Sequence, residues 1–195
     1  MSRTGLWDSH AHLDDEAFYE DREQLIAQLE QDMDGIVNPG CDAASSAVAV
    51  ELAEKYPFIY AAVGWHPENL KGIPADYLQQ LAEWAQHPKV VAIGEIGLDY
   101  YWKENEPKEV QKRIFLEQID LAKQFDLPVI IHDRDAHGDM LELFRRKCMA
   151  YRQCSTASAA RWRWRRSWLS VAITLASAVR LPIRMRRRCA RLCSI

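Results

Sequence analysis

From residue 6 to residue 143 the chain sets a short apolar run ahead of a stretch with helical apolar spacing, and it does so five times. The pattern predicts strands around Leu6 and Trp7, at Gly35 to Asn38, Ile59 to Val63, Val90 to Ile93 and Val129 to Ile131. Helices are predicted from about Asp21, from Asp42 to about Lys55, around Tyr77 to Ala85, from Glu106 to Phe125 and from Ala136. Pro39-Gly40 closes the second strand, and Asp42 is placed to cap the helix that follows. Strands that are apolar throughout and separated by helices form a parallel sheet covered on its faces. Such a sheet is either an open doubly wound one or a closed barrel.

The polar residues discriminate between the two. His10 and His12 follow the first strand, His66 the third, Glu95 the fourth and His132 the fifth. Chemistry spread over the C-terminal ends of several strands is the habit of a TIM-type (β/α)8 barrel. A doubly wound sheet concentrates it at a switch point and usually carries a glycine-rich first turn, which is absent here. The expected fold is therefore an α/β barrel.

Asp8-Ser9-His10-Ala11-His12 places two imidazoles two residues apart at a strand end, where they project from one face. Two neutral imidazoles converging on one point make half a metal site; the alternative is a solvated strand end. In Gly94-Glu95-Ile96-Gly97-Leu98-Asp99 two acids lie four residues apart. Glu95 could bridge two cations through its two oxygens, and Asp99 either serves the site or holds the following turn. His66 could hold a substrate oxyanion or leaving group, or only its own loop. Glu95, His66 and Asp99 are thus the candidate catalytic residues, while His87 and His137 fall on helix ends or surfaces and receive no role.

Four segments together, Asp8-Ser9-His10-Ala11-His12-Leu13-Asp14, Gly64-Trp65-His66-Pro67, Gly94-Glu95-Ile96-Gly97-Leu98-Asp99-Tyr100 and Ile131-His132-Asp133-Arg134, resemble the TatD-related metal-dependent deoxyribonucleases of the amidohydrolase superfamily. Their order and spacing match, over residues 1 to about 147. The resemblance implies a metal-dependent TIM barrel, with one divalent cation held by His10, His12 and Glu95 and a second by Glu95 and His132. It also implies a hydrolase that cleaves phosphodiester bonds in DNA with metal-activated water. Mixed histidine and carboxylate ligands without thiolate suit Mg²⁺, Mn²⁺ or Zn²⁺ and do not choose among them. Alternatives are an amide or ester hydrolase on the same barrel, since the same ligands can polarise a carbonyl, or a non-catalytic nucleic-acid binder.

Composition matters because it changes abruptly near Lys147. Residues 1–146 hold all 28 acids and 13 of the 25 Lys and Arg, a balance of −15, whereas residues 147–195 carry +12 and no acid. A barrel typically needs about 250 residues, and the chain has 195. The family's downstream His-Cys-Phe-Ser-Gly and Glu-Thr-Asp signatures, which supply a histidine and an aspartate to the metals, are missing, so the second site is expected to be incomplete. Residues 148–195 offer no His, Asp or Glu as substitutes. Grouping bases from the third position of each codon, Cys154 to Arg161 permits Phe-His-Cys-Phe-Ser-Gly-Ser, and the next four residues permit Val-Glu-Met-Ala. This points to a reading-frame shift: residues 1–147 are the N-terminal part of the barrel, and 148–195 an aberrant basic tail without its own fold. The expected consequences are an open edge on the fifth strand and impaired activity. If natural, the tail's Trp162, Trp164 and Trp168, interleaved with arginine, could bind nucleic acid.

The longest apolar run, Trp168 to Val179, is 12 residues, short of the roughly 20 that cross a bilayer. With no secretory leader before Trp7 and no zinc-module cysteine spacing, the expected compartment is the reducing cytoplasm, the expected partner DNA as substrate, with no membrane.

Overall fold

The computed structural model describes residues 6–143 and, beyond them, the strands at 153–158 and 173–176. Five strands alternate with five helices: β1 (Trp7–Asp8), α1 (Arg22–Asp32), β2 (Gly35–Pro39), α2 (Ala43–Lys55), β3 (Ile59–Val63), α3 (Tyr77–Ala85), β4 (Val90–Asp99), α4 (Lys108–Gln124), β5 (Val129–Arg134) and α5 (His137–Leu143). The strands form one parallel sheet in sequential order. A doubly wound sheet reverses its order at a switch point, and this one never does. Sequential parallel order is that of a barrel wall.

Local chemistry accounts for the elements. Asp42 caps α2 by accepting from Ser45 N at 2.8 Å, and the Ser45 hydroxyl accepts from Asp42 N at 2.9 Å, a reciprocal capping box. Alternation then sorts the strand residues onto two faces. Ala61, Ile93 and Ile131 join the large core that includes Ile26, Leu81, Phe115 and Ile119 of the helices. Their neighbours Ala62, Ala92 and Ile130 pack with Val37 in a separate small cluster, one residue from each of four adjacent strands. That is a layer on the face away from the helices, the inner side of a curling sheet.

β4 runs further than its apolar run suggests, through Glu95 to Asp99. Its register against β5 shifts between Ile93 and Ile96, and both of these isoleucines lie in the helix-side core. Strict alternation would put them on opposite faces. The irregularity therefore re-aims the strand, so that Glu95, Gly97 and Asp99 share the inner face. Gly97 is required by close packing: a Cβ there would lie 1.9 Å from the His132 carbonyl oxygen on β5.

Two further strands continue the sheet, β6 (Gln153–Ser158) on β5 and β7 (Ile173–Ala176) on β6, both parallel. The fifth strand is thus not the open edge that was expected. Its outward N–H and C=O groups invite a partner, and Gln153–Ser158 contains neither proline nor charge to prevent pairing. The rest of the expected tail lies outside the described residues. Among the described residues, no helix is long and apolar enough to cross a membrane.

Candidate metal centre

β1 ends at Asp8, and beyond a bend at Ser9 the chain is tied to β2 once more, Ala11 N donating to Val37 O at 3.1 Å. His10 N is held by Asp8 Oδ1 at 3.0 Å. The two imidazoles meet with their Nε2 atoms 2.9 Å apart. Glu95 Oε2 lies 3.1 Å from His10 Nε2 and 3.8 Å from His12 Nε2. The other oxygen, Glu95 Oε1, lies 3.3 Å from His132 Nδ1. One carboxylate thus divides its oxygens between two groups of imidazoles.

His132 is fixed from its far side. Its Nε2 meets Asp99 Oδ2 at 2.8 Å, while Asp99 Oδ1 accepts from Tyr101 N at 3.0 Å and Trp102 N at 3.3 Å. Asp99 therefore does both things considered for it, holding the turn with one oxygen and His132 with the other. His66 caps the 3-10 turn Pro67–Asn69, its Nδ1 accepting from Glu68 N at 3.2 Å. Its ring meets that of His132 edge to face, centroids 4.2 Å apart. All five predicted positions of the rim, together with Asp99, come together. His87 and His137 pair instead with Glu54 and Asp133.

Electrostatics follow from burial among close charges. Burial works against the cationic form of His12, but hydrogen bonds to Asp14 and Glu95 outweigh it and raise its pKa to about 9. His132 is likewise raised to about 9, burial being overcome by Asp99 and Glu95. His66 is pushed down to about 3 by burial and by the neighbouring His132 charge, so it is neutral. Burial would raise Glu95, but the surrounding imidazoles hold it well below the usual carboxylate range. Asp99 is lowered against its burial by His132, whereas Glu68 is raised by burial and by its contact with Asp99.

The donor set fits a divalent cation. His10, His12 and Glu95 bring one ligand atom each within 4.8 Å of one another, and so do His66, Glu95 and His132. Two facing imidazole nitrogens can share at most one proton, so at least one lone pair points into the gap between them. Nitrogen and carboxylate oxygen without sulfur are suited to Mg²⁺, Mn²⁺ or Zn²⁺.

Three supporting residues were not singled out from sequence. On α4, Gln118 clamps Trp65, accepting from its N–H at 2.8 Å and donating to its carbonyl at 3.1 Å. Gln111 does the same to Asp99, at 2.9 and 3.0 Å. Asn38 accepts from Leu13 N at 2.6 Å and donates to Asp14 Oδ1 at 2.9 Å, and so braces the loop carrying His12. The glutamines had a signal: they stand seven residues apart on the buried stripe that includes Ile114, Phe115 and Ile119.

A family model described as TatD related DNase matches residues 7–183, past the Lys147 boundary. An uncharacterized metal-dependent hydrolase of Bacillus subtilis, YabD, is 43% identical over 141 residues, which is 72% of this chain and 55% of that protein. A 3′-5′ ssDNA/RNA exonuclease TatD of Pectobacterium parmentieri is 34% identical over 140 residues, 71% of this chain and 54% of that one. The chain thus spans about half the length of the curated relatives it matches. Among solved structures, the TatD homologue YjjV of Escherichia coli K12 superposes with a TM-score of 0.79 at 30% identity, covering 87% of this chain and 66% of that chain. A TatD family hydrolase of Entamoeba histolytica gives 0.80 at 22% identity, covering 90% and 66%, a likeness of fold. The curled sheet is accordingly part of a TIM-type barrel.

Proposed function

Because this chain belongs to the TatD related DNase family, we propose that it descends from, and retains the centre of, a metal-dependent hydrolase that cleaves phosphodiester bonds in single-stranded nucleic acid. The observation that carries the reading is the division of the Glu95 oxygens, Oε2 toward His10 and His12 and Oε1 toward His132. His10, His12 and Glu95 would hold one divalent cation, and Glu95 with His132 a second, less completely ligated one. Bound there, the cations would supply the positive charge that polarises a phosphodiester and lowers the pKa of water.

The chain's own residues do the positioning. Asp99 accepts a hydrogen bond from His132 Nε2–H, so that a neutral His132 imidazole, as a bound cation would require, would present Nδ1 toward Glu95. His66 is neutral with Nδ1 accepting from the backbone, so its single proton sits on Nε2 and offers a donor to a phosphoryl or leaving-group oxygen. Gln111 and Gln118 hold the backbone of Asp99 and Trp65, and with them the rim.

Residues 148–195 are read as out of frame, on their loss of every acid and on the shifted codons that permit the missing histidine motif. The nucleotide sequence from the Cys148 codon decides this: a barrel-length continuation in the alternative frame supports it, and early stops there refute it. On that reading the second cation lacks ligands and activity is weak. The reducing cytoplasm is the proposed compartment, in keeping with Cys41 being unpaired among the described residues. The test of function is cleavage of a labelled single-stranded oligonucleotide with Mg²⁺ or Mn²⁺. Turnover should vanish with chelator and with Glu95→Gln; turnover that survives both would refute the reading.

A further inference from the structure

Immediately beyond Asp99 the chain leaves two large aromatic side chains in solvent, Tyr101 at 50% and Trp102 at 40% exposure. Both are anchored by the site, since their backbone N–H groups donate to the same Asp99 carboxylate that holds His132. Their rings stand perpendicular, centroids 4.7 Å apart at 87°. Into that corner comes Arg134, from the end of β5, its guanidinium carbon 4.0 Å from the Tyr101 centroid and 5.3 Å from that of Trp102. Among the described residues Arg134 has no carboxylate within ion-pair distance. Tyr101 follows Asp99 by two residues, so its Cα lies at most about 7 Å from that of Asp99.

We propose that Tyr101, Trp102 and Arg134 form a nucleotide subsite beside the metal centre. A base of a single-stranded nucleic acid stacks on the exposed rings while Arg134 binds the adjoining phosphate. Exposed aromatic surface costs solvation, and burying it under a base recovers that cost whatever the base, because every base presents a π face. The guanidinium, pre-oriented by the two rings, keeps its N–H edges for phosphate oxygens, an arrangement lysine could not reproduce. An apolar protein partner would leave Arg134, which interacts with Glu68 only at longer range, without an ion pair. A single strand of nucleic acid supplies both chemistries, a π face and a phosphate. The subsite rests on the proposed hydrolase reading, because it is the scissile phosphodiester at Glu95 that brings the neighbouring nucleotide here.

The test uses the full chain with EDTA, so that no strand is cut, and a fluorescein-labelled hexathymidylate whose binding is followed by anisotropy. The control is the same backbone made abasic. Intact strand should bind on the order of tenfold more tightly than abasic strand, and Trp102→Ala or Tyr101→Ala should each remove most of that difference. Trp102→Phe should keep it, which separates loss of stacking from loss of fold. Arg134→Gln should weaken both strands alike. A hexamer carrying 5-iodouracil should photo-crosslink to Tyr101 or Trp102. Equal affinity for the two strands, unchanged binding by both alanine variants, or crosslinks mapping only to residues 148–195 would overturn the subsite. Such failures leave metal-dependent cleavage intact as a separate measurement, whereas base-dependent binding without cleavage would sink the hydrolase reading and keep the subsite.

Discussion

Replacing Glu95 by glutamine keeps the shape of the side chain and removes the one charge common to all three imidazoles. Glu95 is 4% exposed, with contacts of 3.1, 3.8 and 3.3 Å to His10, His12 and His132. In the metal-free protein at pH 6, His12 and His132 hold their protons. Stranding a buried charge by deleting its partner costs about 3–5 kcal/mol. His132 keeps Asp99 and His12 keeps Asp14, so the lower end of that range applies. The imidazoles can also escape the penalty by releasing protons, which becomes easier by about 1.4 kcal/mol per pH unit. Glu95→Gln should therefore lower Tm strongly at pH 6 and much less at pH 9. For the metal the loss is larger, because Glu95 would touch both cations. An outer partner of a ligand is worth 10–100-fold in affinity, so a ligand itself should be worth more than about 100-fold. Mn²⁺ titration followed by electron paramagnetic resonance, with thermal melts at both pH values, measures both effects. Mn²⁺ affinity within threefold of the parent, or a Tm loss that grows from pH 6 to pH 9, would refute the reasoning.

Asp99→Asn should cost 10–100-fold in Mn²⁺ affinity while leaving the fold intact, because it frees the tautomer of His132 without removing a ligand; unchanged affinity would show that Asp99 serves only its turn. Gln118→Leu should lower the urea midpoint by an amount worth about 2–4 kcal/mol, since it leaves the buried N–H and C=O of Trp65 without partners. A change below 0.5 kcal/mol, on the order of an ordinary surface substitution, would contradict that. The three rim histidines with displaced pKa values predict a stability optimum for metal-free protein near 6.5, where an ordinary histidine titrates. His12 and His132, raised to about 9, stabilise below 6.5, and this is lost as pH rises through 9. His66, lowered to about 3, stabilises above 6.5, and this is lost as pH falls toward 3. Tm measured in EDTA from pH 5 to pH 9 should pass through a maximum, and a steady rise to pH 9 would be the contrary result.

Much of this architecture is legible in the sequence because it is written in periodicity. Residues alternate between apolar runs and helical spacing, and apart from the C-terminal end of β4 the observed elements start and stop within a few residues of those limits. The rim residues are legible for a related reason: a histidine or acid directly after a buried strand stands out against its apolar neighbours. The extension of β4 to Asp99 is not legible, because Gly94, Glu95 and Gly97 interrupt the apolar run after Ile93. Only the register shift against β5 shows that they continue the strand with its face changed. Nor does the sequence reveal that Asp99 divides its two oxygens between a turn and His132, since that depends on β4 and β5 lying side by side. Gln111 and Gln118 could have been noticed as polar residues in register with an apolar stripe, but which backbone each clamps depends on the packing of α4 against β4. The pairing of β5 with β6 is not legible either, because side chains say little about a strand whose unpaired backbone can recruit almost any segment.

The most direct test of the metal centre is anomalous diffraction from crystals of the full chain soaked in Mn²⁺. A peak within coordination distance of His10 Nε2, His12 Nε2 and Glu95 Oε2, with a weaker one between Glu95 Oε1 and His132 Nδ1, is the predicted result. Density at neither position at saturating Mn²⁺, or a peak held by residues elsewhere, would contradict the account.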